Sequence, residues 1–245
     1  MSRYWLNANP EDPAVFDQEV KNVCEIYEQA PILHEQGVHV ISSDEKTGIQ
    51  ALERKHPTLP TQPGLVERRE FEYIRHGTLC LMANFEVALG KILAPTISLT
   101  RGEEDFLAHF AQTVATDPSA QWIWITDNLN THVSASLVEY VAQQCGIKMD
   151  FGVKGKSGIL MSMETRSAFL CDPTHRIRFV YTPKHCSWLN QVEIWFSILV
   201  RRMIKRGNFL SLDDLREKIL AFIEYFNKTM AKPFKWTFRG RPLVA

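Results

Sequence analysis

Apolar residues along the chain switch between two periods, and the switches predict an order of elements. Val15, Val20, Val23, Ile26 and Tyr27 recur at helical spacing, so residues 1–36 read as an acidic helical lead whose run Pro31 limits. Val38 to Ser42 is a short β-rich run leading into Asp44. Pro57, Pro60 and Pro63 make residues 53–64 a loop rather than an element. Between residues 70 and 97 three strand-like runs follow, at Phe71–Ile74, Thr78–Phe85 and Glu86–Leu93, the last with Gly90 near its end.

Beyond residue 100 the periods alternate. Phe106, Leu107, Phe110 and Val114 predict a helix over 103–116, and Gln-Trp-Ile-Trp-Ile-Thr at 121–126 is a compact strand that delivers Asp127. A helix over 133–144 follows, with Asn130 or Thr131 as its cap, and then a strand over 176–181. The helix over 189–205 carries an apolar stripe of Val192, Trp195, Phe196, Leu199 and Met203. Ser211 opens the last helix, to Asn227, with Asp213 and Asp214 in its first turn. A run of strands followed by helix–strand alternation predicts an α/β fold, a mixed sheet flanked by helices. The expected organisation is the lead over 1–36, one domain over 37–230, and a basic tail over 231–245.

Composition narrows the class. The 245 residues are 45% hydrophobic and 23% charged, as in soluble globular proteins. No apolar run approaches the roughly 18 residues of a membrane span, and no secretory signal opens the chain, so no membrane partner and a cytoplasmic location are expected. Five scattered cysteines suit a reducing compartment. The net charge of zero hides an asymmetry. Residues 184–245 hold 12 Lys/Arg against 5 Asp/Glu, leaving 16 against 23 in the rest. Arg201, Arg202, Lys205, Arg206, Lys232, Lys235, Arg239 and Arg241 in this quarter suit either a phosphate backbone or a solvated face.

Three acids stand where elements end or begin. Asp44 follows the first strand, where a solvent-facing turn residue is the plain alternative. Asp127 closes the 121–126 strand, at the kind of sheet edge where ligands bind, or as an Asx turn. Glu193 stands at the start of the 189–205 helix, where Asn190-Gln-Val-Glu also has the spacing of a capping box. Three carboxylates gathered in one place would repel one another unless cations neutralised them.

Asp44 in Ser-Asp-Glu, Asp127 in Ile-Thr-Asp-Asn-Leu-Asn-Thr-His, and Pro183-Lys-His-Cys-Ser-Trp-Leu-Asn-Gln-Val-Glu193-Ile-Trp-Phe together resemble the DDE transposases of the insertion sequence 630 and Tc/mariner superfamily, from about residue 3 onward. The resemblance implies an RNase H-like fold and cut-and-paste movement of a DNA element. Asp44, Asp127 and Glu193 would be catalytic and would hold two Mg²⁺ ions, with Mn²⁺ able to substitute. Glu45, Asn128, His132 and Asn190 match the flanking motifs and would back the acids or touch DNA. Trp188, Arg201, Arg202, Lys205 and Arg206 are further candidates for DNA contact. Transposon ends and target DNA are the implied partners, with a homodimer in the complex and a prokaryotic setting at the nucleoid.

Two departures stand out. Asp127 and Glu193 lie 66 positions apart, more than is common in mariner-type members, so an insertion is expected around residues 147–176. Full-length members also carry helix-turn-helix DNA-binding modules ahead of the stretch matched here at Arg3–Asn9, and those are expected to be missing. Two other readings of the whole chain stay open: a DNA-binding remnant that cannot transpose, and a nuclease of the same fold with no transposition role. Lesser signals point elsewhere. Gly155-Lys156-Ser157 imitates the end of a P-loop, but Asp150 stands where the first glycine belongs. Cys171, His175, His185 and Cys186 lack the paired spacing of a zinc site.

Overall fold

The computed structural model describes residues 12–68 and 70–238. Arg3–Asn9, Arg239 and Arg241, which figured in the sequence argument, lie outside the described residues. Five strands form one sheet in the order β3-β2-β1-β4-β5, with six α-helices among the described residues. The strands are β1 (Val38–Arg54), β2 (Tyr73–Glu86), β3 (Lys91–Ser98), β4 (Gln121–Thr126) and β5 (Ile177–Tyr181). β1, β2 and β3 form an antiparallel meander, and β4 and β5 add parallel strands on the far side of β1. The sheet is mixed and flanked by helices, as the alternation of periods predicts.

Each face of the sheet has its own core. α1 (Pro13–Glu35), α5 (Gln191–Arg202) and α6 (Leu212–Thr229) cover one face, and α2 (Glu103–Val114), α3 (Ala135–Gln144) and α4 (Met163–Leu170) contribute to the other. β4 shows how two-residue periodicity serves both: Ile123 and Ile125 join the first cluster, Trp122 and Trp124 the second. α1 therefore packs on the main core, through Val20, Val23, Ile26, Tyr27 and Ala30.

Several elements differ from expectation. α1 continues past Pro31 to Glu35, because Tyr27 and Ala30 on one side and Leu33 on the other are held against the core. That packing outweighs the hydrogen bond that proline removes. β1 runs well beyond Ser42, so Asp44 lies within a paired strand, opposite Ala83 of β2, and not in a turn after it. The two runs before residue 86 merge into β2, and the stretch expected as a third strand, Glu86–Leu93, is instead the β2–β3 turn flanked by strand ends. Gly90 in that turn has φ of +67°, and a Cβ there would collide with the backbone of Lys232. α3 is capped by Ser134, whose hydroxyl accepts from the Leu137 amide, rather than by Asn130 or Thr131, which sit in a short 3-10 turn. α5 stops at Arg202, short of the expected Lys205, which falls in a further 3-10 turn. The 147–176 stretch holds α4, which the sequence pattern did not suggest.

Candidate active site

The register of the parallel pair places the first two acids. Ser42 of β1 stands opposite Ile125 of β4, and two residues further along each chain stand Asp44 and Asp127. Period-two alternation sends both toward the face covered by α5. That helix begins one residue after Asn190 and carries Glu193 in its first turn. The charges of Asp127, Glu193 and Glu45 all act on Asp44. Burial first, and then these three like charges, push the Asp44 carboxyl up to about 7, although the Glu45 amide donates to it at 2.7 Å.

Asn190 fixes where α5 begins. Its Nδ2 donates to the Ser43 carbonyl at 2.9 Å and to Oδ2 of Asp44 at 3.2 Å. The Ser42 hydroxyl donates to Asn190 Oδ1 and accepts from the Val192 amide at 2.9 Å. Both residues are buried. The capping box is therefore not formed: Asn190 makes no side-chain cap bond, and its amide is spent on β1. Among the described residues the Glu193 side chain makes no hydrogen bond, which leaves its carboxylate open to the cleft. Ser42 was missed in the sequence, where a serine in a strand carries no signal of its own.

His132 holds the other side. Its Nδ1 lies 2.7 Å from Oδ1 of Asp127 and its Nε2 lies 3.2 Å from Oε1 of Glu45. Burial opposes its charge, but the bonds to Asp127 and Glu45 and their negative charges prevail and raise its pKa to about 9. Phe106 packs against the ring at 4.3 Å, and Tyr181 donates to the His132 carbonyl at 2.8 Å. Glu45, His132 and Asn190 thus all bond one of the acids or brace it. Asn128 is exposed and lines a separate groove with Lys184, His185 and Arg178. Trp188 is 47% exposed and packs edge-on against Phe238 at 4.9 Å.

The acids crowd loosely. Among the described residues, the one group whose ligand atoms all lie within 4.8 Å of one another is His34, His39 and Glu86, not the triad. A wider set suits two ions roughly 4 Å apart better than one. Arg201 and Arg202 in the last turn of α5 and Lys205 and Arg206 just beyond it are exposed. Lys205 lines a groove of about 440 Å³ with Lys46 and Arg54 of β1, so this groove opens two residues from Asp44. The two weaker motifs do not form sites. Val153 pairs with Ser157 in a tight turn, which is no phosphate loop leading into a helix. Cys171, His175, His185 and Cys186 do not come together as metal ligands.

No curated protein matches the chain. A family model described as DDE superfamily endonuclease matches residues 39–216, more than two-thirds of the length and all three acids. Among solved structures, the catalytic domain of Mos1 mariner transposase is similar with a TM-score of 0.51 at 10% identity, over 96% of this chain and 90% of that one. The Mos1 mariner paired end complex with Mn gives 0.52 at 12% identity, over 98% of this chain. This chain spans 62% of the length of that protein. The likeness extends to the RNase H-like architecture of the mixed sheet, and the family match shows that the chain belongs to the DDE superfamily of endonucleases.

Proposed function

We propose that the chain is the catalytic core of a DNA transposase, cleaving and joining DNA strands with divalent ions held by Asp44, Asp127 and Glu193. One observation carries this reading: β1, β4 and the start of α5 bring the three acids to one place, with Asn190 bonded to Asp44. The donor set fits hard cations, since all three groups offer carboxylate oxygens, which suits Mg²⁺ or Mn²⁺. When bound, a pair of such ions supplies positive charge to the attacking and leaving oxygens of an in-line displacement at phosphorus. Nothing in this chemistry needs a covalent nucleophile from the protein.

The protein's part is positioning. Asn190 keeps Asp44 aimed into the cleft, and His132 holds Asp127 and Glu45 in register with each other. Lys46, Arg54 and Lys205 along the groove, with Arg201, Arg202 and Arg206 beyond it, would follow a phosphate backbone. The exposed ring of Trp188 offers a stacking surface for a base, and Asn128 a polar contact in its own groove. The substrates would be transposon ends and target DNA, met by a homodimer at the nucleoid in the cytoplasm. The mariner-type structures that this fold resembles are DNA complexes in part, one of them with Mn.

The test is a nicking and joining assay in Mg²⁺ with Asp44→Asn, Asp127→Asn and Glu193→Gln. Each variant should lose cleavage while still binding DNA. Wild-type cleavage by any one of them would remove that residue from the set. Cleavage by the wild type with no joined product would favour the nuclease of the same fold. For these 245 residues alone, binding should be weak, nearly blind to sequence and steeply weakened by salt, because the contacts are to phosphates. Sequence reading is expected from helix-turn-helix modules. Strong preference for an element end over scrambled DNA of equal length would place the recognition surface within these residues.

A further inference from the structure

A second cluster of ligand-type side chains lies at the start of β1, apart from the acids. α1 delivers His34 in its last turn, the chain reverses at Gly37, and β1 presents His39 on its second residue. Glu86, the last residue of β2, meets both. His39 Nδ1 lies 2.8 Å from Oε2 of Glu86, and His34 Nδ1 lies 4.0 Å from Oε1. All three ligand atoms fall within 4.8 Å of one another. His39 is five residues from Asp44, roughly 16 Å along a strand, so this is not an extension of the acidic cleft.

We propose that His34, His39 and Glu86 bind a zinc-type divalent ion that clamps the end of α1 to the sheet. The side chain of Glu86 is 0% exposed, and its Oε1 has no hydrogen-bond partner although it is aimed toward His34. A buried carboxylate oxygen without a partner is costly, and native structures seldom leave one so. A metal between Oε1 and the two imidazoles removes that deficit.

The geometry around His39 is already that of a braced ligand. Its Nε2 lies 3.4 Å from Oδ2 of Asp117, which favours the proton on that nitrogen and leaves Nδ1 free to face a metal. Trp122 stacks on the ring at 4.3 Å, and His34 meets it edge-on at 5.5 Å. Tetrahedral zinc with ligands at about 2.0–2.1 Å sets neighbouring ligand atoms roughly 3.3 Å apart. The observed 2.8 Å, to Oε2 of Glu86, and 4.0 Å, to its Oε1, lie on either side of that value with every ligand atom within 4.8 Å of the others, so rotations of the three side chains suffice to close the site. Two imidazole nitrogens and one oxygen select zinc or its late transition-metal neighbours over Mg²⁺, which takes all-oxygen sites. The His34 side chain is 32% exposed, which provides both an entry path and room for water in the fourth position. A plain His39–Glu86 ion pair would have no need of His34, and this distinguishes the two readings.

The test strips the full chain with a chelator and then titrates Zn²⁺ in excess Mg²⁺, which occupies any hard-cation site. Bound zinc is counted by atomic absorption, and Co²⁺ substitution reports nitrogen ligands through its visible spectrum. The wild type should take up one zinc per chain and gain thermal stability from it. The Asp44→Asn, Glu193→Gln double variant should do the same. His34→Ala, which removes a partly exposed ligand at a helix end, should weaken zinc binding by at least ~100-fold, a larger loss than bracing residues cause. His34→Gln serves if the alanine variant misfolds by circular dichroism. Absence of zinc uptake by the wild type overturns the proposal. So does equal uptake by the His34 variants, or loss of uptake with the two acids.

Discussion

At one end of β1 His39 sits between Glu86 and Asp117; five residues on, Asp44 faces Asp127, Glu193 and Glu45. The first stretch pairs opposite charges. The hydrogen bond to Glu86 raises the His39 pKa against the pull of burial. The second stretch crowds like charges, and Asp44 is driven to about 7 by burial and by its neighbours. Folding on its own accounts for the His39–Glu86 pair within the first arrangement, since a buried carboxylate needs a partner. It does not account for the second, which makes the folded state worse at neutral pH. Perturbed groups of that kind gather where chemistry is done. The comparison therefore separates charge that serves the fold from charge that the fold tolerates.

The largest expected effect breaks the acidic stretch. Asp127→Asn keeps shape and hydrogen bonding but removes the charge a hard cation needs. If metal stabilisation is worth several kcal/mol in the transition state, Mg²⁺-dependent nicking should fall by on the order of 10³-fold or more. Single-turnover rates at saturating DNA measure this. The matching change at the start of β1, His39→Leu, should leave the rate near that of the wild type and act on stability instead.

That loss of stability comes next in size. With Glu86 left buried and without its partner, His39→Leu should cost about 3 kcal/mol in chelator-treated protein, read by urea unfolding. Removing both charges in His39→Leu, Glu86→Leu should recover much of it, because the desolvation goes as well. The pH sign follows from the raised pKa of His39. Its contribution is fully present below the unfolded value of 6.5 and fades as pH rises through the folded one, so the variant's deficit should shrink at alkaline pH. A deficit that grows with pH would contradict the pairing.

Asp44→Asn should do the reverse and stabilise the metal-free protein. The Asp44 pKa rises on folding from 3.8 to about 7, so nothing is lost below 3.8, the penalty builds as pH climbs between the two values, and it is complete above the folded one. The gain for the variant should be on the order of 1–3 kcal/mol at pH 8 and vanish near pH 4. Mg²⁺ should raise the melting temperature of the wild type more than that of the variant. A destabilised Asn variant at pH 8 would mean that Asp44 is held by interactions more favourable than its neighbours are repulsive.

The sequence shows these two stretches unequally. β4 is readable because Trp122, Trp124, Ile123 and Ile125 alternate between two apolar faces, and α6 because Ser211 marks its first turn. Glu86–Leu93 misleads, since Val87 is buried although it lies in a turn. Its apolar character reports packing and not pairing. The acids are legible because each follows or opens a strong local pattern. What supports them is not. Ser42 and Asn190 are 148 residues apart in the chain, and His34 and Glu86 belong to different elements joined only by the fold. No local period encodes such contacts.

Ser42 offers the smallest and sharpest test of the division. Its hydroxyl contacts none of the acids, yet it bonds Asn190 and the Val192 amide, and Asn190 bonds Asp44. Ser42→Ala leaves a buried amide without its acceptor, a loss of about 1–2 kcal/mol in stability. If Asn190 positions Asp44, the rate of nicking should also drop, by up to ~10-fold for a displacement of well under 1 Å, with DNA affinity unchanged. A variant that loses stability and keeps its full rate would show that the Ser42–Asn190 lock only anchors α5. In that case Asp44 would be aimed by its own strand, through pairing opposite Ala83. The acidic stretch of β1 would then owe its geometry to the sheet alone.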